Sequence, residues 1–391
     1  MTRQPRAPTP STPVRPITRD STGPGEALPD AAEGLALVKP CVRTQAGYML
    51  RALPARRKLN QNECPHDFPP DLKRLVLERA AAAPWQRYPE FVPAGLVERL
   101  AAHYAWTPHG VVVGNGSNEL IQATLSVVLA SGDAVVAPSP TFSLYRLLTG
   151  VLGGRYVPVP LGERFAFDVD RIVEAAVRER ARVVVLNSPN NPTGTALTAG
   201  AVERILVETA ALVVCDEAYQ DFGGPTAIPL LRGTSRIVVL RTFSKAMGMA
   251  GLRFGLALAH PEVARELAKG KLPYNVNLIT LAAAEVALDH AELLAARTRA
   301  ISETRDRFLP RLAAIPGIEV FPTAANFVLI RCRARPAAEV FRRLHEEHGI
   351  LVRDVSGSAD LAECLRISIG TAEDMEAVIE ALPRVLTAEG Q

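Results

Sequence analysis

Cysteine is scarce in this chain. Five residues, Cys41, Cys64, Cys215, Cys332 and Cys364, stand singly, and none forms a CxxC pair. That spacing argues against a zinc site and a disulfide framework, and it fits a reducing cytoplasm. Aromatic residues make up only 5% of the sequence, and no apolar run approaches the roughly 20 residues that cross a bilayer. Net charge is also lacking: 44 Lys and Arg against 41 Asp and Glu leave +3. No basic run exceeds "PARRK" (54–58), so the charge balance gives no reason to expect nucleic acid or a membrane surface as partner.

What is present is 48% hydrophobic and 22% charged residues over 391 positions, enough for one large or two ordinary domains with a sizeable core. Residues 1–34 are rich in Pro, Thr, Ser and Arg and read as a disordered tail. Between about 110 and 260, β-rich runs alternate with helical stretches. "GVVVGN" (110–115), "DAVVAPSP", "GRYVPVPL", "ARVVVLN", "ALVVCDEAY" and "RIVVLRTFSK" read as strands. "NELIQATLSVVLASG" (118–132) reads as an amphipathic helix ending at its glycine. The apolar runs are mostly unalternated, as in parallel strands covered on both faces. The expectation is an α/β fold: a mostly parallel central sheet in an α/β/α sandwich, followed from about 290 by a smaller α+β domain.

Ligands of open α/β sheets sit beyond the carboxyl ends of the strands, and the unusual residues gather there. "NGSNE" (115–119) is a strand-to-helix turn of small residues, suited to an anion or to plain capping. "SPNNPTG" (188–194) holds Asn191 in an irregular loop, with a simple turn as the alternative. "VVCDEAY" places Asp216 directly after a buried strand, where a carboxylate needs a cation or several donors; Glu217 reads as the solvated member of the pair. In "TFSKAMGMAGLRFG", Lys245 also follows an apolar strand. Burial and the nearby Arg253 would lower its pKa, as a nucleophile or base requires. Each motif alone has a bland structural explanation. Together, in order, they suit a phosphorylated cofactor with a basic ring nitrogen and an aldehyde.

These motifs resemble those of fold-type I pyridoxal-phosphate (PLP) aminotransferases. "RYPE" (87–90), "KLPYNVN", "ANFVLIR", "GILVRD" and "CLRISIG" are similar to the histidinol-phosphate aminotransferase branch, and "KLNQNECP" (58–65) to the segment that opens its fold. The resemblance implies that Lys245 is the lysine joined to PLP and the proton shuttle, and that Asp216 pairs with the pyridine nitrogen. It implies that Asn191 and Tyr219 hydrogen-bond the ring's 3-oxygen and that Phe142 stacks on the ring, where many relatives carry tyrosine. Ser117, Asn118, Ser244 and Arg253 would hold the cofactor phosphate, joined by Tyr88 from the partner of a homodimer. Tyr48, Asn191, Arg353 and Arg366 would bind substrate. The implied reaction converts L-histidinol phosphate and 2-oxoglutarate to imidazole-acetol phosphate and L-glutamate, in the cytoplasm and with no metal. The implied organisation is a tail (1–34), an N-terminal arm (35–65), a large PLP-binding domain (66–285) and a small C-terminal domain (286–391). An aromatic amino acid aminotransferase or a threonine-phosphate decarboxylase would share the scaffold. A PLP-binding regulator is disfavoured, because no helix-turn-helix pattern precedes the fold.

Overall fold

The computed structural model describes residues 30–47 and 53–387. Two compact units result. In the first, which runs to Thr44, the described residues form two short helices, Ala32–Leu37 and Pro40–Arg43. The second, from Gln45 onward, contains every strand among the described residues.

The strands in chain order are β1 (Arg57–Lys58), β2 (Val111–Gly114), β3 (Ala134–Ser139), β4 (Arg155–Pro160), β5 (Val183–Asn187), β6 (Leu212–Asp216), β7 (Ile237–Thr242), β8 (Gly255–Ala259), β9 (Ile318–Val320), β10 (Phe327–Cys332), β11 (Ile350–Leu351), β12 (Arg353–Asp354) and β13 (Cys364–Ser368). Seven form one sheet in the order β2-β8-β7-β6-β5-β3-β4. Its pairs are parallel except those made by β8, which runs antiparallel to β7 and β2. The carboxyl ends of β2, β5, β6 and β7 therefore lie along one edge.

The unalternated apolar runs are covered on both faces, as parallel strands demand. Val135, Val183, Val185, Val214, Val238 and Leu240 pack with Leu120, Ile121 and Leu125 of the helix Ser117–Val128. The alternate residues, among them Val136, Val184, Leu186, Val213 and Val239, pack with the helices Ala94–His103, Val169–Arg178, Ala201–Glu208 and Leu278–Asp289. Each fully buried Val or Leu contributes about 1.5–3 kcal/mol, so the two-sided covering sustains the sandwich.

The helix expected to end at Gly132 stops at Val128. Leu129 is already extended, and the Asp133 carboxylate accepts the Ala130 N–H at 2.9 Å, which holds the chain in a turn instead of another helical turn.

The second sheet is antiparallel, in the order β12-β13-β10-β9. Leu365 and Ile367 of β13 enter a core shared with the helices Ala291–Ala313, Ala337–His348 and Ala372–Leu386. The alternating Arg366 therefore faces the other way. β1 pairs in parallel with β11. Leu59 N–H donates to Leu351 O at 2.8 Å, and Ser368 N–H donates to Leu59 O at 3.0 Å. These bonds fix the path of residues 60–63 beside β13.

Candidate active site

Asp216 ends β6 with its side chain 3% exposed. Tyr145 Oη donates to Oδ2 at 2.6 Å, and Ala218 N–H donates to Oδ1 at 3.1 Å. Among the described residues no lysine or arginine pairs with it. Burial outweighs the two donors and pushes its carboxyl above the ordinary carboxylate range. Such a carboxylate is stabilised in its ionised form by a cationic or N–H partner.

Glu217 departs from expectation. Successive side chains of a strand point to opposite faces, so Glu217 enters the far core and not solvent. It is buried, and it accepts from Arg241 Nη1 at 2.9 Å, Thr226 Oγ1 at 2.8 Å and Ala227 N–H at 2.6 Å. Between the two adjacent acids, the one with an internal cation is Glu217.

Lys245 lies three residues beyond β7. Its Nζ donates to the Gln61 carbonyl at 2.9 Å and stands 5.8 Å from the centre of the Tyr219 ring. Burial lowers its pKa to about 7, helped by Arg366 and then Arg253. Sequence reasoning foresaw burial and Arg253 but not the larger contribution of Arg366, which comes from the other sheet. An amine with this pKa is substantially unprotonated near neutrality, as a nucleophile or base must be.

Beyond β2, Gly116 adopts φ +80° and leads into the helix at Ser117, whose first turn has no side-chain cap. A Cβ on Gly116 would stand 2.3 Å from Arg253 Nη2, so the glycine lets the guanidinium approach the turn. Arg253 Nη1 also donates to Ser244 Oγ at 3.1 Å and Ala250 O at 3.0 Å, with no acidic partner among the described residues. Open helix N–H groups, a hydroxyl and an arginine without a carboxylate make an anion site. Ser117 is buried in this turn, while Asn118 is exposed.

The second sheet closes the other side. Arg366 Nη1 donates to Asn191 Oδ1, and its Nη2 donates to Asn60 O at 2.8 Å. Arg353 is the cross-strand partner of Arg366, so two like charges share one patch. Directly opposed like charges destabilise a sheet unless an anion joins them. Asn191 is held from behind, its N–H donating to Asn187 Oδ1 at 2.8 Å. Tyr219 is buried, with Asn62 Nδ2 donating to its Oη at 3.1 Å.

Asp216, Lys245, Tyr219, Asn191, Ser117, Ser244, Arg253, Arg353 and Arg366 thus belong to one connected cluster. Phe142 is half-buried at its edge, packing edge-on to Tyr145 with ring centres 5.7 Å apart. Tyr88 stands outside: it is 80% exposed and stacks on Tyr274 at 4.6 Å. Tyr48 lies outside the described residues. Sequence reasoning missed Asn60, Asn62 and Tyr145. The repeated asparagines of "KLNQNECP" were the available signal for the first two. "PTFSLY" held Tyr145 in view without a reason to choose it.

The chemistry of this donor set fits one kind of guest. An anion suits the Ser117 turn, Ser244 and Arg253; a ring N–H suits the unpaired Asp216; an aldehyde suits the neutral amine of Lys245. The cluster is that of an enzyme working on amines, and the family agrees. The model of "Aminotransferase class I and II" matches residues 57–382, and the chain belongs to that family.

Within it, the chain stands among the histidinol-phosphate aminotransferases. It is 39% identical over 351 residues to that of Chlorobium phaeovibrioides, spanning 88% of this chain and 96% of the relative. It is 37% identical over 332 residues to that of Chlorobaculum tepidum, spanning 85% and 94%. A solved structure, the histidinol-phosphate aminotransferase of Sinorhizobium meliloti in complex with pyridoxal-5'-phosphate, matches with TM-score 0.79 at 28% identity, over 89% of this chain and 96% of that one.

Proposed function

We propose that this chain is a PLP-dependent histidinol-phosphate aminotransferase, moving an amino group from L-histidinol phosphate to 2-oxoglutarate. The observation that carries the substrate reading is the cross-strand pair Arg353–Arg366, two cations on one patch beside Asn191. An arginine fork grips phosphate or carboxylate, so histidinol phosphate and glutamate can use the same patch in turn.

Bound at the cluster, PLP supplies an aldehyde that carries the amino group and a protonated ring that takes up electron density. The Ser117 turn, Ser244 and Arg253 hold its phosphate. Asp216, ionised by such a partner, would hold the proton on the ring nitrogen. Tyr219 and Asn191 meet the ring's 3-oxygen, and Phe142 covers the ring. Lys245 Nζ, partly unprotonated near pH 7, would take the proton from the substrate Cα and pass it to the carbon that the cofactor contributes as its aldehyde. Partial desolvation of that amine keeps its proton loosely held.

A second copy of the chain is part of this reading. Tyr88, Trp85, Phe91 and Leu272 are all more than half exposed, an apolar cover that a homodimer would bury, bringing Tyr88 toward the partner's cofactor phosphate. Tyr48 would close over the substrate. The two sheets support a large domain (66–285) and a small one (286–391), the latter with strand β1 of the arm (35–65) paired to it. The scarce cysteines suit a cytoplasmic enzyme. No described helix is long and apolar enough to cross a membrane.

The test is a specificity ratio. Among the described residues the Arg353 side chain forms no hydrogen bond or ion pair that the fold needs, so Arg353→Gln should leave folding intact. A dianionic phosphate loses more from it than a monoanionic carboxylate does. We expect kcat/KM for histidinol phosphate to exceed that for phenylalanine in the parent enzyme, and the substitution to shrink that preference about tenfold, near 1.4 kcal/mol. A parent enzyme that prefers phenylalanine or tyrosine would make it an aromatic aminotransferase instead. Release of CO2 from threonine phosphate would make it a decarboxylase.

A further inference from the structure

Residues 60–63 join the two halves of the site. The carbonyls of Asn60 and Gln61 accept from Arg366 and Lys245 respectively. Asn62, between them and Glu63, is 1% exposed and sits at φ +55°, a left-handed conformation that asparagine tolerates better than most residues.

Its hydrogen bonds run in one consistent direction. Asn62 N–H donates to Ser368 Oγ at 2.9 Å. That hydroxyl, already accepting, donates to Asn62 Oδ1 at 3.2 Å. With the side-chain oxygen accepting from Ser368, the amide nitrogen faces Tyr219 Oη and donates to it at 3.1 Å. Asn326 Nδ2 donates to Asn62 O at 3.0 Å and anchors the loop from a third side. Phe327 packs edge-on to the Tyr219 ring, with centres 5.1 Å apart, so the ring is held while its hydroxyl is polarised. An N–H donor cannot accept, so the phenol proton cannot point at Asn62.

We propose that Asn62 is a positioning residue: by donating to Tyr219 Oη, it turns the phenol proton into the site and makes Tyr219 a committed donor toward the cofactor's ring oxygen. The proposal rests on the reading that Tyr219 meets that oxygen. Donation to an anionic oxygen favours its ionised form. A phenol released to rotate donates less of the time, and the ring oxygen then holds its proton to higher pH.

The test is a spectroscopic pH titration of the purified holoenzyme without substrate, following the visible absorbance of the lysine-bound cofactor. Glycine accepts the left-handed φ, so Asn62→Gly removes the amide without straining the backbone. Tyr219→Phe should raise the titration midpoint. Asn62→Gly should raise it by up to about one pH unit, a tenfold change in the protonation equilibrium. In the Tyr219→Phe background, Asn62→Gly should add nothing, because its effect passes through the phenol. An equal shift in both backgrounds, or none in the parent, would overturn the role of Asn62. An unmoved midpoint in Tyr219→Phe would instead overturn the placement of Tyr219, and the proposal with it. Should Asn62→Gly fail to fold, Ser368→Ala removes the hydroxyl that assigns the amide; it should shift the parent in the same direction and leave the Tyr219→Phe enzyme unmoved, and any other pattern counts against the proposal.

Discussion

Lys245→Ala should abolish turnover and covalent retention of the cofactor while leaving the chain folded. Proton transfer by a positioned group accounts for ~10²–10⁴-fold in rate, and loss of the covalent step adds to it. Folding should not suffer, for a reason the site itself supplies. The Lys245 pKa falls from the 10.5 of an ordinary lysine to about 7. Between those values the unfolded chain binds a proton that the folded apoprotein does not. Stability of the apoprotein therefore rises with pH through this window, and the burial penalty is fully felt below about 7. Alanine removes the penalty together with its pH dependence. Thermal melts of the apoprotein from pH 6 to 10 check the stability half of the expectation. Borohydride reduction followed by mass measurement checks the other half: the parent should carry the cofactor on the peptide containing Lys245, and the variant should carry none. Retained turnover in Lys245→Ala would contradict the assignment.

Asp216→Asn should have the second largest effect, and of opposite sign in the two states of the protein. Asparagine keeps the shape and can still accept from Tyr145 Oη, but it removes the charge that faces the ring nitrogen. Breaking a buried, hydrogen-bonded charge pair costs about 3–5 kcal/mol, a fall in kcat of roughly 10²–10⁴-fold. The apoprotein should be no less stable, and more stable at neutral pH. In the parent, burial holds the Asp216 carboxyl above its ordinary 3.8, so the folded apoprotein binds that proton more tightly than the unfolded chain. Its stability falls as pH rises from about 4 through the raised value, and the variant lacks this decline. Paired melts of apo and cofactor-loaded protein separate the two effects. A variant that loses apo stability and keeps its activity would show that Asp216 serves the fold alone.

The strand-end residues were legible in the sequence because their anomaly is local. A carboxylate or a lysine directly after four or five buried apolar residues needs explaining at that spot, and Asp216 and Lys245 both announced themselves so. The sandwich was legible for a similar reason: unalternated runs such as "RVVVLN" require cover on both faces. What escaped was set by contacts across long separations. Asn62 meets Tyr219 157 positions away and Ser368 306 positions away, and no periodicity within "KLNQNECP" encodes either. Arg366 acts on Lys245 across 121 positions, from a strand of the other sheet, and Asn60 and Gln61 accept from the two cations side by side. The choice between Asp216 and Glu217 was a question of strand face, and Arg241, the partner that settles Glu217, lies on the neighbouring strand β7. The helix after "NGSNE" ended early because a side chain, Asp133, competed for a backbone N–H that composition alone assigns to the helix.

The central claim is that this pocket takes an amino group from a phosphorylated amine and keeps it on the cofactor. A single-turnover experiment tests it most directly. Holoenzyme mixed with L-histidinol phosphate, with no keto acid present, should lose the absorbance of its lysine-bound aldehyde form, gain that of the amine form, and release one equivalent of imidazole-acetol phosphate per site. An unchanged spectrum with no keto product released would contradict it.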